Sequence, residues 1–138
     1  MARDIFHEIV KEALIKDGWL ITDDPLTLLS RAEGGISTDL GAEKIIVAEK
    51  GLIKIAVEVK SFLNPSLIHE FLKANGQYSG YSIVIKKKKI NRILYLAMPI
   101  FAYEKLINYE FVQDIIEENH IKFILFDHKE KIIVAWKE

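Results

Sequence analysis

Ile53-Lys54-Ile55-Ala56-Val57-Glu58-Val59-Lys60 decides the fold. Rich in Ile and Val, it reads as a strand, whose successive side chains alternate between faces. Glu58 and Lys60, two apart, therefore project side by side. Such a triplet is ordinarily a weak ion pair on a solvated face. Here the flanking Val, Ile and Ala predict a central, buried strand, where two charges need a reason. Asp39, in Ile36-Ser37-Thr38-Asp39-Leu40, supplies a second carboxylate at the start or middle of a preceding strand. Asp39 and Glu58 would make an all-oxygen pocket suited to Mg²⁺ or Mn²⁺. Lys60 would sit beside it as the cation that orients or activates water and stabilises charge building on a phosphate.

Outward from this strand, Lys44–Glu49 reads as its antiparallel neighbour, joined through Lys50-Gly51. A helix is expected from Ser66 to about Lys87. Its apolar positions are Leu67, Ile68, Phe71, Leu72, Tyr78 and Ile85, with Asn64 or Ser66 as cap and Pro65 near the start. Gln77 and Tyr81, four apart, share one helix face. Alone they mark the polar edge of a packing face; their order and distance after Asp39 and Glu58-Val59-Lys60 let the two signals support each other. Gly76 and Gly80 are expected to let the helix approach the sheet. Upstream, Ala2–Lys16 forms a helix with a stripe of Ile5, Ile9, Val10, Ala13 and Leu14, stopped at Asp17-Gly18. Trp19–Thr22 is extended, and Asp23-Asp24-Pro25 punctuates it. Downstream come a strand over Arg92–Met98 closed by Pro99, a helix over Ala102–Asn119 broken near Asn108, and strands over Ile121–Asp127 and Lys131–Trp136. The expected fold is α/β (α+β), one domain over residues 1–138 with helices flanking a central mixed sheet.

Composition narrows the chemistry. The 138 residues are half apolar and contain no cysteine, which suits a domain without disulfide or structural zinc and fits a cytoplasmic setting. No stretch approaches the roughly 20 apolar residues of a membrane span. Nineteen Lys and Arg against twenty Asp and Glu give a net charge of −1, which disfavours strong autonomous DNA binding. The exception is local: Lys86-Lys87-Lys88-Lys89 with Arg92 forms a basic cluster able to take phosphates, or a solvated helix end complementing its negative pole. His69, His120 and His128 lack zinc-ligand spacing. His7 is read as a cap or surface contact. Glu43, four residues beyond Asp39, is of uncertain register because Gly41 intervenes. Ser61 has no base to make it a nucleophile, and no glycine-rich phosphate loop is present.

Asp39 with Glu58-Val59-Lys60 resembles the PD-(D/E)XK pattern of the restriction-endonuclease-like superfamily, with Thr38 where the motif's proline would stand. Gln77-x-x-x-Tyr81 resembles the accessory motif of its RecB-like nucleases and some junction resolvases. The resemblance extends along essentially the whole chain to the XisH family, the fdxN element excision controlling factors. It is carried by Asp4-Ile5-Phe6-His7-Glu8, Lys16–Leu26, Asp39–Lys44, Ala48-Glu49-Lys50, Ile55–Phe62, Gly76-Gln77-Tyr78 and Leu94–Pro99. It implies a restriction-endonuclease-like αβββαβ core and a role in programmed excision of a DNA element, with an XisI-type partner and a separate site-specific recombinase. It also implies an extra metal carboxylate from the first helix, Glu8. Two readings stay open: a metal-dependent nuclease, or a regulator that uses the same scaffold to bind DNA or a partner. A homodimer is expected, through the C-terminal hairpin and the aromatic segment Phe101, Tyr103, Tyr109 and Phe111.

Overall fold

The computed structural model describes residues 4–46 and 51–138. In chain order the elements are α1 (His7–Lys16), β1 (Leu20–Asp23), β2 (Leu26–Leu29), a 3-10 turn (Arg31–Glu33), β3 (Ile36–Thr38), β4 (Leu40–Ile46), β5 (Gly51–Val59), α2 (Leu67–Lys87), β6 (Ile93–Pro99), α3 (Ile100–Leu106), α4 (Glu110–Glu118), β7 (Phe123–Asp127) and β8 (Ile132–Lys137). Six strands form one mixed sheet in the order β1-β4-β5-β6-β7-β8, and β2 with β3 makes a separate hairpin. β5 pairs antiparallel with β4 and parallel with β6, so the expected central strand is central, with Glu58 beside Leu96. None of the described helices is long and apolar enough to cross a membrane.

Alternation along β5 divides the core in two. Ile55, Val57 and Val59 join the cluster beneath α1, with Val10, Leu14, Tyr95 and Phe126. Ala56 joins the cluster beneath α2, α3 and α4, with Phe71, Leu96, Phe123 and Val112. Glu58, two residues from Ala56, is thereby directed to the α2 side.

The structure corrects several boundaries. The described part of the chain starts α1 at His7, leaving Ile5 and Phe6 outside the helix, while the expected start at Ala2 lies outside the described residues; Ile5 is 71% exposed, with Phe6 taking its place in the core. β4 begins at Leu40 rather than Lys44, while residues 47–50 of the expected strand and turn lie outside the described residues. The β2–β3 hairpin was not anticipated. Its strands are short and register-shifted, and only the alternation of buried Leu26 and Leu28 with exposed Thr27 signals it. Gly76 and Gly80 do not draw α2 toward the sheet: both face outward, with no atom within 4 Å of where a Cβ would stand. The buried stripe of α2 is Phe71, Ala74 and Tyr78, and the glycines fall off it. The expected break near Asn108 is present as the gap between α3 and α4.

Candidate functional site

The last residues of β5, the β3–β4 junction and one face of α2 converge. Asp39 lies between β3 and β4 rather than within a strand. Its Oδ2 accepts the Val59 backbone N–H at 2.7 Å, which fixes the carboxylate beside the strand that carries Glu58. Glu58 is 7% exposed. Burial and then the neighbouring Asp39 charge push its carboxyl pKa up to about 8, while Lys60 pulls the other way. Lys60 Nζ stands 3.6 Å from Glu58 Oε2. From α2, the Tyr81 hydroxyl donates a long 3.4 Å hydrogen bond to the same oxygen. Burial and the Glu58 charge raise the Tyr81 pKa, so the hydroxyl stays a donor. Gln77, one turn earlier, has a buried Oε1 without a hydrogen-bond partner. Thr38 is also buried, its hydroxyl donating to Leu40 O at 3.3 Å.

The structure overturns the surface reading of His7. The ring is 2% exposed, and its Nε2 is 2.7 Å from Asp24 Oδ1. Lys11 Nζ holds the other Asp24 oxygen at 2.8 Å. Burial works against the Asp24 carboxylate, but the hydrogen bonds from Lys11 and His7 outweigh it and hold the carboxyl below its usual range. His7 Nδ1 is buried without a hydrogen-bond partner, 4.0 Å from Asp39 Oδ1. Ligand atoms of His7, Glu8 and Asp24 lie within 4.8 Å of one another. Glu8 thus belongs to the His7 side of the site, and its own side chain is exposed. Glu43 lies within β4, four residues after Asp39, and pairs in register with Lys54 and Leu20.

Sequence reasoning also passed over Asp4. Its Oδ1 accepts the Phe6 N–H and its Oδ2 the Ser61 N–H, each at 2.9 Å. One carboxylate therefore pins the start of α1, and so His7, to the residue after Lys60. An Asp just ahead of a helix signals a cap, but nothing in the pattern signals a partner 57 residues away.

A family model described as XisH protein matches residues 1–134. This chain belongs to the XisH family. Two solved structures resemble it throughout. An XisH family protein from Nostoc punctiforme PCC 73102 is 40% identical with a TM-score of 0.83, the match covering 98% of this chain and 100% of that one. An fdxN element excision controlling factor protein from Anabaena variabilis is 43% identical, also with a TM-score of 0.83, covering 99% and 100%. No curated protein matches at a significant level.

The basic cluster of this XisH chain is divided by the fold. Lys86, Lys87 and Lys89 are exposed at the end of α2, whereas Lys88 pairs with Glu33 at 2.9 Å and reaches Leu28 O. Lys89 takes a left-handed φ of 54°, and the Ile90 N–H returns to Ile85 O at 3.0 Å, which closes the helix in the manner usually served by glycine. Arg92 is placed apart. Its guanidinium, 13% exposed, donates to Ile55 O at 2.9 Å and Thr22 Oγ1 at 3.1 Å and pairs with Asp23 at 3.3 Å.

Proposed function

We propose that this XisH chain is a controlling factor in the excision of a DNA element by site-specific recombination, and that it carries a divalent-metal phosphodiesterase site of the restriction-endonuclease-like kind. The observation that carries the second part is the Asp39–Glu58 pair: two close carboxylates, one deeply buried, which repel unless a proton or a cation lies between them. The name of the Anabaena variabilis relative supports the first part. The order α1, β1, β4, β5, α2, β6, with β2 and β3 inserted, is consistent with an αβββαβ core.

The residues present suit Mg²⁺ or Mn²⁺. Asp39 and Glu58 would hold the ion, with Glu8 reaching it from the α1 side; when bound, it would neutralise the phosphodiester and polarise it as a Lewis acid. Lys60 would orient the attacking water and offset charge developing on the phosphate. Tyr81 would hold Glu58 in place by its hydroxyl, and Gln77 would offer its unpartnered oxygen to a water or substrate donor. Lys86, Lys87 and Lys89 lie five to eight residues beyond Tyr81, about 8–12 Å along the helix axis, where a DNA backbone engaged at Glu58 would continue. Arg92 is left out of this interface because its Nη1 and Nη2 groups are bonded within the fold.

The near-zero net charge favours a second reading, a non-catalytic scaffold that binds DNA or an XisI-type partner. One experiment separates the two. The unmutated protein should cleave branched, supercoiled or single-stranded DNA with Mg²⁺ or Mn²⁺, and Lys60→Ala should abolish cleavage with the fold intact by circular dichroism. Absence of cleavage on all three substrates selects the scaffold reading. Full-rate cleavage by Lys60→Ala removes the catalytic assignment. The homodimer belongs to the same proposal: Tyr109, Phe111, Ile132 and Val134 are exposed, whereas Phe101 and Tyr103 pack on the core. Light scattering at tens of micromolar tests it.

A further inference from the structure

Resting on the DNA-binding part of the reading above, we propose that the β2–β3 hairpin is a nucleic-acid arm. Arg31 at its tip takes the phosphate backbone together with Lys86, Lys87 and Lys89, while Lys88 is the strut that holds the arm in place rather than a DNA contact.

Charge is segregated along this chain. The net charge is −1, yet no Asp or Glu stands between Phe71 and Tyr103, and Glu33 is the only one between Pro25 and Thr38. The fold brings these two stretches together. Leu26 and Leu28 are buried, and Ile36 packs with them in the cluster that also holds Val84 and Ile85 of α2 and Ile90 just beyond it. Lys88 Nζ closes the contact, donating to the two Glu33 oxygens at 2.9 and 3.2 Å and to Leu28 O at 3.4 Å. The hydrogen bonds from Lys88 and Ser30 hold the Glu33 carboxyl below its usual range, so it remains a charged partner at neutral pH. The one carboxylate of the two stretches is thus balanced by Lys88. Lys86, Lys87 and Lys89 at the end of α2, and Arg31 two residues before Glu33, are left exposed. None of the four has a side-chain hydrogen bond or ion pair among the described residues.

The tip has a fixed shape. Ser30 O accepts the Glu33 N–H at 2.9 Å and the Gly35 N–H at 2.8 Å, and Glu33 Oε1 accepts the Ser30 N–H at 3.1 Å. Gly34 and Gly35 reverse the chain at φ of 130° and 68°, angles that other side chains resist. From the tip, β3 runs directly into Asp39. The hairpin and the last turns of α2 therefore leave the Asp39–Glu58 pair together and end together at the basic patch. A guanidinium there offers a planar fork matched to phosphate. The partner is nucleic acid rather than protein because the hairpin exposes no large apolar side chain, and protein interfaces are anchored by such groups.

The test is binding of the full chain to a short labelled duplex of mixed sequence, followed by fluorescence anisotropy over a range of salt, with Ca²⁺ present to neutralise the carboxylates. Arg31→Ala should weaken binding several-fold and reduce the slope of log affinity against log salt by about 0.9, as should each of Lys86→Ala, Lys87→Ala and Lys89→Ala. Arg31→Lys should restore most of the slope. Lys88→Gln combined with Glu33→Gln removes the strut at constant net charge; binding should weaken, and Arg31→Ala should cost less in that background than in the unmutated chain. An undiminished Arg31→Ala effect there overturns the strut. A slope that responds to the three lysines but not to Arg31 overturns the arm and leaves the helix-end interface standing. Polyglutamate that competes as well as unlabelled duplex marks the patch for an acidic protein and overturns the nucleic-acid assignment. Failure of the unmutated chain to bind the duplex at low salt overturns the arm and the DNA-binding reading together.

Discussion

Asp39 accepts the Val59 backbone N–H with one carboxylate oxygen and faces His7 with the other. The two oxygens therefore have separable jobs. Asp39→Asn retains an acceptor for Val59, whereas Asp39→Ala leaves that N–H without one, at a cost of about 1–3 kcal/mol. Urea unfolding of the metal-free proteins should place Asp39→Ala well below Asp39→Asn. Both variants should show a weaker rise in melting temperature with millimolar Mn²⁺ than the unmutated chain. Equal stabilities would mean that Asp39 does not hold the strand end.

Glu58 predicts a pH dependence whose sign is opposite to that of a salt-bridged carboxylate. Its pKa is raised from 4.5 to about 8 in the folded chain, so the native state binds more protons than the unfolded state between those values. Stability of the metal-free protein should be greatest below pH 4.5 as far as this group is concerned, and should fall as pH rises through 8. At about 1.4 kcal/mol per unit, the fall amounts to several kcal/mol at most. Denaturant midpoints from pH 5 to pH 8.5 measure it, and Glu58→Gln should flatten the curve. Mn²⁺ should stabilise more at pH 8 than at pH 5, because ion and proton compete for the same carboxylates.

Arg92 should behave as a structural residue. Its guanidinium spans β1 and β5 through Thr22, Asp23 and the Ile55 carbonyl, and a Cβ on Gly41 would stand only 3.0 Å from its Nη1. Arg92→Lys cannot reproduce the planar fork and should cost about 2 kcal/mol in chemical denaturation. Gly41→Ala should destabilise too. If the chain binds DNA, Lys86→Ala with Lys87→Ala and Lys89→Ala should lower the salt slope of binding. Arg92→Lys should leave that slope unchanged.

The outward-facing glycines of α2 give a prediction of gain. Neither has a neighbour that a methyl group would meet, and neither has a positive φ. Gly76→Ala and Gly80→Ala should each stabilise the chain by up to about 1 kcal/mol, read as a raised melting temperature. A loss at either position would show that something closes on this face.

The parts of the fold that were legible in the sequence are those where one period dominates. β5, α2 and the β7–β8 hairpin each carry a long apolar pattern, and strand and helix spacing bring the Glu58, Lys60 and Tyr81 side chains together, whereas Asp39 stands between two strands and not within one. The rest depends on contacts between segments distant in sequence. His7 looked like a cap or surface contact because adjacent helix residues do not share a face and Glu8 was read as the one turned toward the site; its partner Asp24 is seventeen residues away. Arg92 looked like part of a lysine cluster, yet its partners belong to β1 and β5. The β2–β3 hairpin escaped because three- and four-residue strands carry too little alternation to outweigh Pro25 and Gly34-Gly35.

β8 lies at one margin of the sheet, and among the described residues its outer backbone groups have no partner strand. Ile132 and Val134 are exposed along it, a run able to template fibrous self-stacking, with Lys131 before it and Lys137 at its end. The two lysines act as gatekeepers, so neutralising them should lower the concentration at which the protein precipitates while leaving its unfolding midpoint nearly unmoved.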